Sequence, residues 1–445
     1  MRLPLPELLL AAVLAAGFAA VGELVLRRRI RDIAGANEAM LVGMGLCAAA
    51  LFPLSLAIPR LALVAEAVGI LGALAVALGT RLLVRRPGPP ARPAADPVAR
   101  LALGATALVA AGFAALNFRY TYLWDGMLIW ATKAQLLFHS GGLTREWFVG
   151  DVYDLRHLAY PPLIPLYESL LSLLRGGFDV DRLKPVFLVF YVSMLVGTYS
   201  SVRALLSARL ASAATLLVSL LPALSTQFAA GGYADMPEAA AVAGVTAAAM
   251  GRRRNALPWL LGTLTTVKAE GAILAALAGA GILLFWVLES GRWWLRRVRA
   301  DAAGIAIVAA FFALRIAYVR WIDAPIEVYG GSLSSALARV PVVLRLCLEQ
   351  LADPRVWGFF WAAFLLAALA ALAGGSNLAR SLAATVAVSL VLLTVPFLVT
   401  TWPLEVHIAQ AYFRLAAQIA PAAAAVIALG YAAASARLTR TPVLG

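Results

Sequence analysis

Stretches of about 20 predominantly apolar residues recur along the whole chain, and they constrain its fold more than any other feature. Each is long enough to cross a ~30 Å hydrocarbon core as an α-helix. In lipid only helices and closed barrels satisfy their backbone groups, and runs this long and continuous exclude barrel strands. With 62% hydrophobic and 13% charged residues, the chain reads as an all-α, polytopic helical membrane protein. Thirteen spans are expected, roughly 5–26, 36–58, 61–82, 99–117, 184–204, 209–228, 234–250, 256–267, 271–288, 302–320, 357–373, 381–400 and 413–432.

The formal charge of +14 would suggest a nucleic-acid partner in a soluble protein. Here 21 of the 37 basic residues fall in short segments such as "RRRIRD", "GRRRN" and "GRWWLRRVRAD". That clustering is the positive-inside pattern, so no nucleic-acid partner is expected. The first apolar run could pass for a signal peptide. Only Arg2 precedes it, however, and "RRRIR" follows directly, which points to a retained span with its N-terminus outside. Cys47 and Cys347 lie far apart and imply neither a disulfide framework nor a metal site.

With that orientation, His139, His157, His407 and most of the acids fall on the outer side. They occupy the long segment 118–183, the turns near 229–235 and 268–270, and the loops 321–356 and 401–412. An active site, if present, opens outward. "MLIWATKAQLLF" and "PPLIPLYESLLSLL" read as short helices lying along the membrane surface. Asp125 sits between the fourth span and the first of these, beside Trp124, and an N-cap role competes with a chemical one. Downstream, "DVYDLRHLAYPP" contributes Asp151, Asp154, His157 and Tyr160.

Three further clusters share that side. In "GGYADMP", Tyr233 precedes Asp235, which heads a returning helix as a cap or a functional group. In "TTVKAEG", Lys268 and Glu270 interrupt an apolar hairpin whose first arm is short, a frequent mark of a ligand site. Lys268 either pairs with Glu270 alone or meets an anion. In "EVHIAQAYFRLAAQ", Glu405, His407 and Arg414 precede or enter the last span. An arginine at that depth must snorkel or pair, and its fork of donors suits phosphate. Walker, dinucleotide, HExxH and GxSxG motifs are absent from the sequence.

The order and shared sidedness of Asp125, the Tyr-Pro-Pro segment, "YADMP", "VKAEG" and the late arginine resemble the GT-C superfamily of membrane glycosyltransferases. The resemblance runs from about residue 100 to 432 and is nearest to the branch of protein O-mannosyltransferases and the aminoarabinose transferase of lipid A. It implies two regions: an N-terminal three-helix segment with a cytoplasmic linker (1–98), and a catalytic membrane domain (99–445). It implies transfer of a sugar from a polyprenyl-phosphate donor to a lipid or glycan acceptor, with a protein acceptor less favoured, at the outer face of a plasma (inner) membrane. Membrane lipids are the expected surroundings. By resemblance Asp125 acts as or orients the base, and Asp151 or Asp154 adds a second acid. Asp235 matches the "YADMP" aspartate, and Lys268 and Arg414, with His407 as a third candidate, would face donor phosphate. Tyr233, Tyr160, His157, Trp124 and Glu270 would line the sugar site. No cofactor or metal is expected. Three helices precede the family's first aspartate, and Gly126 replaces the acid that follows it in O-mannosyltransferases. The rival expectation is a transporter or flippase of lipid-linked sugars.

Overall fold

The structure, a computed structural model, describes residues 4–83, 96–145, 157–225, 231–323 and 333–438. Every regular element among them is helical. Four helices lead: α1 (Leu5–Leu26), α2 (Ile33–Ala57), α3 (Ala62–Leu83) and α4 (Pro97–Arg119). A π-helical turn, Gly126–Ala131, runs into α5 (Thr132–Ser140), followed by α6 (Leu163–Arg175), α7 (Pro185–Arg203) and α8 (Ala208–Ser219). Next come α9 (Asp235–Met250), α10 (Leu257–Leu264), α11 (Ala269–Ser290), α12 (Ala302–Ile322) and α13 (Leu333–Ala352). The chain closes with α14 (Phe360–Gly374), α15 (Asn377–Leu392) and α16 (Leu404–Leu438).

Among the described residues nine helices are long and apolar enough to cross a membrane, so this is a multi-pass membrane protein. Four of the thirteen expected spans do not reach that length: they coincide with α8, α9, α10 and α14, of 12, 16, 8 and 15 residues. Helix α10 is the extreme case. Eight residues rise only ~12 Å, less than half of the hydrocarbon core. Thr265 and Thr266 then turn their hydroxyls back onto the Gly262 and Thr263 carbonyls (2.7 Å each). The turn that follows α10 is therefore inside the protein, with Thr265 and Lys268 buried.

Two expected outer segments fold differently from a surface strip. Helix α6 is buried from Leu163 to Ser172, because α1, α2 and α3 close over it. The Tyr167 hydroxyl donates to the Ala11 carbonyl (2.7 Å), and its ring meets Phe18 edge-on at 5.3 Å. The expected loop 321–356 contains α13, which packs on α16 and is held by Arg339 donating to the Thr400 carbonyl (2.7 Å).

The tertiary pairs sort into two sets that match the alternation read from charge. Arg81–Glu23, Arg209–Asp96, Arg253–Glu38 and Arg252–Glu289 join segments of the arginine-rich side. Glu7 with Arg175 and Arg182, and Arg145 with Asp323, join segments of the other.

At the centre α9 is buried along almost its whole length, between α7 and α16. Its alanine-rich sequence lets neighbours approach closely, as small residues do in membrane helices. The same device joins α1 to α2, where a Cβ on Gly22 would lie 1.9 Å from the Ala39 carbonyl oxygen. Gly22→Val is expected to push these helices apart at a cost of about 1–3 kcal/mol. Thermal unfolding in detergent should show a clear loss; an unchanged midpoint would mean the interface is looser than described.

Candidate functional site

The site forms where four segments distant in sequence meet at the N-terminal end of α9. The first is the exit from α4. Its Leu123 N–H donates to the Gly231 carbonyl (2.9 Å), and a Cβ on Gly126 would lie 2.3 Å from that same oxygen. Glycine at 126, the departure from the O-mannosyltransferase pattern, is thus what allows the chain bearing Asp125 to lie against the turn bearing Tyr233 and Asp235. Gly232 completes that turn at φ +85°, with Tyr122 packed against it.

Asp235 is the hub. One oxygen accepts from Arg414 Nε (2.8 Å), and the other from Gln418 Nε2 (2.7 Å) and Lys268 Nζ (3.1 Å). Arg414 reaches on with Nη2 to Asp125 (2.7 Å) and lies 4.1 Å over the Tyr233 ring. Lys268 also approaches Glu270 at 3.4 Å. Neither aspartate caps a helix with its side chain, so their oxygens serve this network instead. Arg414 pairs rather than snorkels, and Lys268 pairs with more than Glu270. Asp235 and Lys268 are nearly enclosed, whereas 25% of the Asp125 side chain stays exposed. Asp125 is thus the carboxylate of the hub that a ligand reaches first.

Burial lowers the Lys268 ammonium's affinity for its proton, but the Asp235 and Glu270 carboxylates outweigh it and raise its pKa. Burial pushes the Tyr233 hydroxyl up, and the Asp125 charge adds to that against the opposing pull of Arg414. Both groups keep their protons at neutral pH: one as a cation, one as a donor.

The other expected site residues make contacts of their own. Tyr160 stacks between His157 and Trp130, with centroids at 4.6 and 5.4 Å. Lys133, buried beneath, donates to the carbonyls of His157 (2.6 Å), Leu158 and Tyr160 (3.4 Å each). This assembly anchors the Tyr-Pro-Pro segment to the π-helical turn. Trp124 is 64% exposed. His407 bonds the Thr400 hydroxyl (2.7 Å) between Phe397 and Trp402. It precedes Arg414 by two turns, about 10 Å along the axis, and is not drawn into the hub. Asp151 and Asp154 lie outside the described residues. Among the described residues no three His, Cys, Asp or Glu side chains are grouped to hold a metal ion.

Two participants escaped the sequence reading. Gln418 stands one turn beyond Arg414. Glu238 stands one turn beyond Asp235, wholly buried, and neither of its oxygens has a hydrogen-bond partner among the described residues. Their i,i+4 and i,i+3 spacing from named residues was the available signal. Ionising a buried carboxylate that lacks hydrogen-bond partners is costly, so the surroundings of Glu238 favour its neutral form. Arg315, conspicuous within a span, donates to the Thr265 carbonyl (2.9 Å) and secures the turn before Lys268.

Compared with known proteins, the chain matches no family model, no curated protein and no solved structure.

Removing one partner of a buried ion pair typically costs about 3–5 kcal/mol. Asp235→Ala, which takes a carboxylate from two cations at once and leaves Arg414 only Asp125 and Lys268 only Glu270, is expected to lose stability of about that order. Glu238→Gln replaces a neutral acid by a neutral isostere and should unfold within a few degrees of the wild type. A Gln variant as damaged as Asp235→Ala would mean that Glu238 is charged.

Proposed function

We propose that this protein is a membrane glycosyltransferase that moves a sugar from a polyprenyl-phosphate carrier to an acceptor hydroxyl. The observation that carries the reading is the Asp125–Arg414–Asp235–Lys268 chain, which puts an accessible carboxylate beside two cations. Displacement at an anomeric carbon needs those two elements: a base for the acceptor and positive charge for the departing phosphate. The resemblance of the motif order to the GT-C superfamily supports the same reading. In this reading the site lies on the outer face of the plasma membrane, and the clustering of arginines on the opposite side supports that placement.

In the proposed reaction the acceptor oxygen bonds to the anomeric carbon as the bond from that carbon to the phosphate oxygen breaks. The acceptor proton passes to Asp125, and polyprenyl phosphate leaves with the bonding electrons. A single displacement inverts the anomeric centre. Arg414 and Lys268 hold the phosphate. Because both cations are paired with carboxylates in the free protein, donor phosphate takes over the Arg414 fork from Asp125. Binding of donor thereby releases the base. Arginine suits this exchange because its fork matches carboxylate and phosphate alike.

A second reading, a transporter of lipid-linked sugars, is favoured by Glu238 alone, since a buried acid within a helix bundle is a common proton carrier in transport. Liposomes containing the protein and a panel of synthetic polyprenyl-phosphate sugars separate the two. Transfer or release of sugar is expected with one donor, falling at least about a hundredfold in Asp125→Asn, the lower range for loss of a general base. Arg414→Lys, which keeps charge but loses the fork, should weaken donor binding more than it slows bound donor. Wild-type turnover by Asp125→Asn would sink the assignment of the base. Donor crossing the bilayer uncleaved would favour transport.

A further inference from the structure

At the opposite end of α9 from the charged hub, a cavity of about 140 Å³ opens between α9, α11, α15 and α16. Its walls are hydrocarbon: Val242 and Val245 of α9, Leu274 and Ile282 of α11, Val386 of α15 and Ile419 of α16. Along α11 the lining runs from Leu274 to Glu289, about 22 Å of helix and most of the depth of a hydrocarbon core. The walls are joined where the Ser381 hydroxyl of α15 donates to the Gly281 carbonyl of α11. At its mouth stand Arg252, Arg253 and Arg254, with Trp286 beside them.

Three features of the mouth bear on what enters. The arginines are only partly neutralised: Arg253 pairs with Glu38 across the bundle, and Arg252 reaches Glu289 at 3.7 Å while remaining 70% exposed. Arg254 is exposed and basic, so the rim carries net positive charge. Arg252 adopts φ +53°, a left-handed conformation that favours glycine, yet the position holds a long cation. The turn therefore bears a backbone penalty while presenting charge at the rim. An apolar slot of this size does not hold water well and forfeits dispersion contacts if left empty. A guest with hydrocarbon for the walls and an anion for the rim satisfies both.

We propose that this cavity is a binding site for one anionic phospholipid of the leaflet on the arginine-rich side. An acyl chain lies between α11 and α15, and the headgroup phosphate lies against Arg252 and Arg254. Basic pockets between membrane helices on that side suit anionic headgroups, and the aromatic Trp286 suits the interface. The site is separate from the charged hub, so its occupancy stands whether or not the proposed transfer reaction does. A chain seated there would brace α9, the helix that carries Asp235 and Glu238 at its other end.

The test is quantitative lipid analysis of the full-length protein after purification in mild detergent and washing. Wild type is expected to keep close to one equivalent of phosphatidylglycerol or another anionic phospholipid, enriched over the zwitterionic lipid of the host membrane. The Arg252→Ala/Arg254→Ala double variant, altered only at exposed side chains, should retain roughly thirtyfold less, the order expected for two basic residues near anionic headgroups. Ala278→Phe, which puts a ring into the slot, should lose the lipid even with both arginines present. Equal retention in all three proteins, preference for zwitterionic lipid, or retention of inorganic phosphate or polyprenyl phosphate instead would each overturn the proposal. If Ala278→Phe fails to fold, the double arginine variant still decides.

Discussion

The sharing of Asp235 between Arg414 and Lys268 is the interaction on which the rest of that half of the bundle depends. Two cations in a largely water-free interior are tolerable only beside carboxylates. Asp235 supplies both its oxygens to that purpose, Asp125 takes a second nitrogen of Arg414, and Glu270 lies beside Lys268. The geometry ties together α4's exit, the head of α9, the head of α11 and the middle of α16. Much of the fold makes sense as provision for this one contact. The eight-residue α10 brings Lys268 inward, the glycines at 126 and 231–232 let the α4 exit touch the turn before α9, and the small residues of α9 admit α7 and α16 to either side.

The same network explains how a membrane protein keeps reactive groups on hand without a ligand. Each cation is held by carboxylates that an incoming phosphate can replace, and each replacement frees an acid. Under the proposed function, substrate itself therefore switches the base on. Arg414 makes both its bonds through a single guanidinium, so the exchange at one side of the fork is felt at Asp125 without disturbing Asp235. Glu238 sits behind this arrangement, one turn along α9 from Asp235.

The helices of the N-terminal region acquire a part as well. They were an unexplained addition in the sequence, since the resemblance begins only near residue 100. In the structure α1, α2 and α3 close over α6, and the Thr263 hydroxyl of α10 donates to the Leu41 carbonyl of α2 (3.1 Å). They brace the elements carrying the Tyr-Pro-Pro segment and the turn before Lys268. Their own acids, Glu7 and Glu38, are spent on pairs with Arg175, Arg182 and Arg253.

The sequence by itself determined what is written in runs of like residues. Long apolar stretches set the helices and the membrane class, and clustered arginines set the alternation of sides that the ion pairs follow. The isolated polar residues Asp125, Asp235, Lys268 and Arg414 stood out because hydrocarbon surroundings make any charge conspicuous. Only tertiary structure decided how those four pair, because 289 positions separate Asp125 from Arg414 and no local pattern encodes so distant a contact. It also decided that His407 stays with Thr400, and that α6 is buried rather than laid on the surface. An amphipathic helix looks alike in sequence whether its apolar face meets lipid or protein. Glu238 is the sharpest case: one more acid in an alanine-rich helix, distinguished only by the lack of a hydrogen-bond partner among the described residues once its neighbours have closed around it.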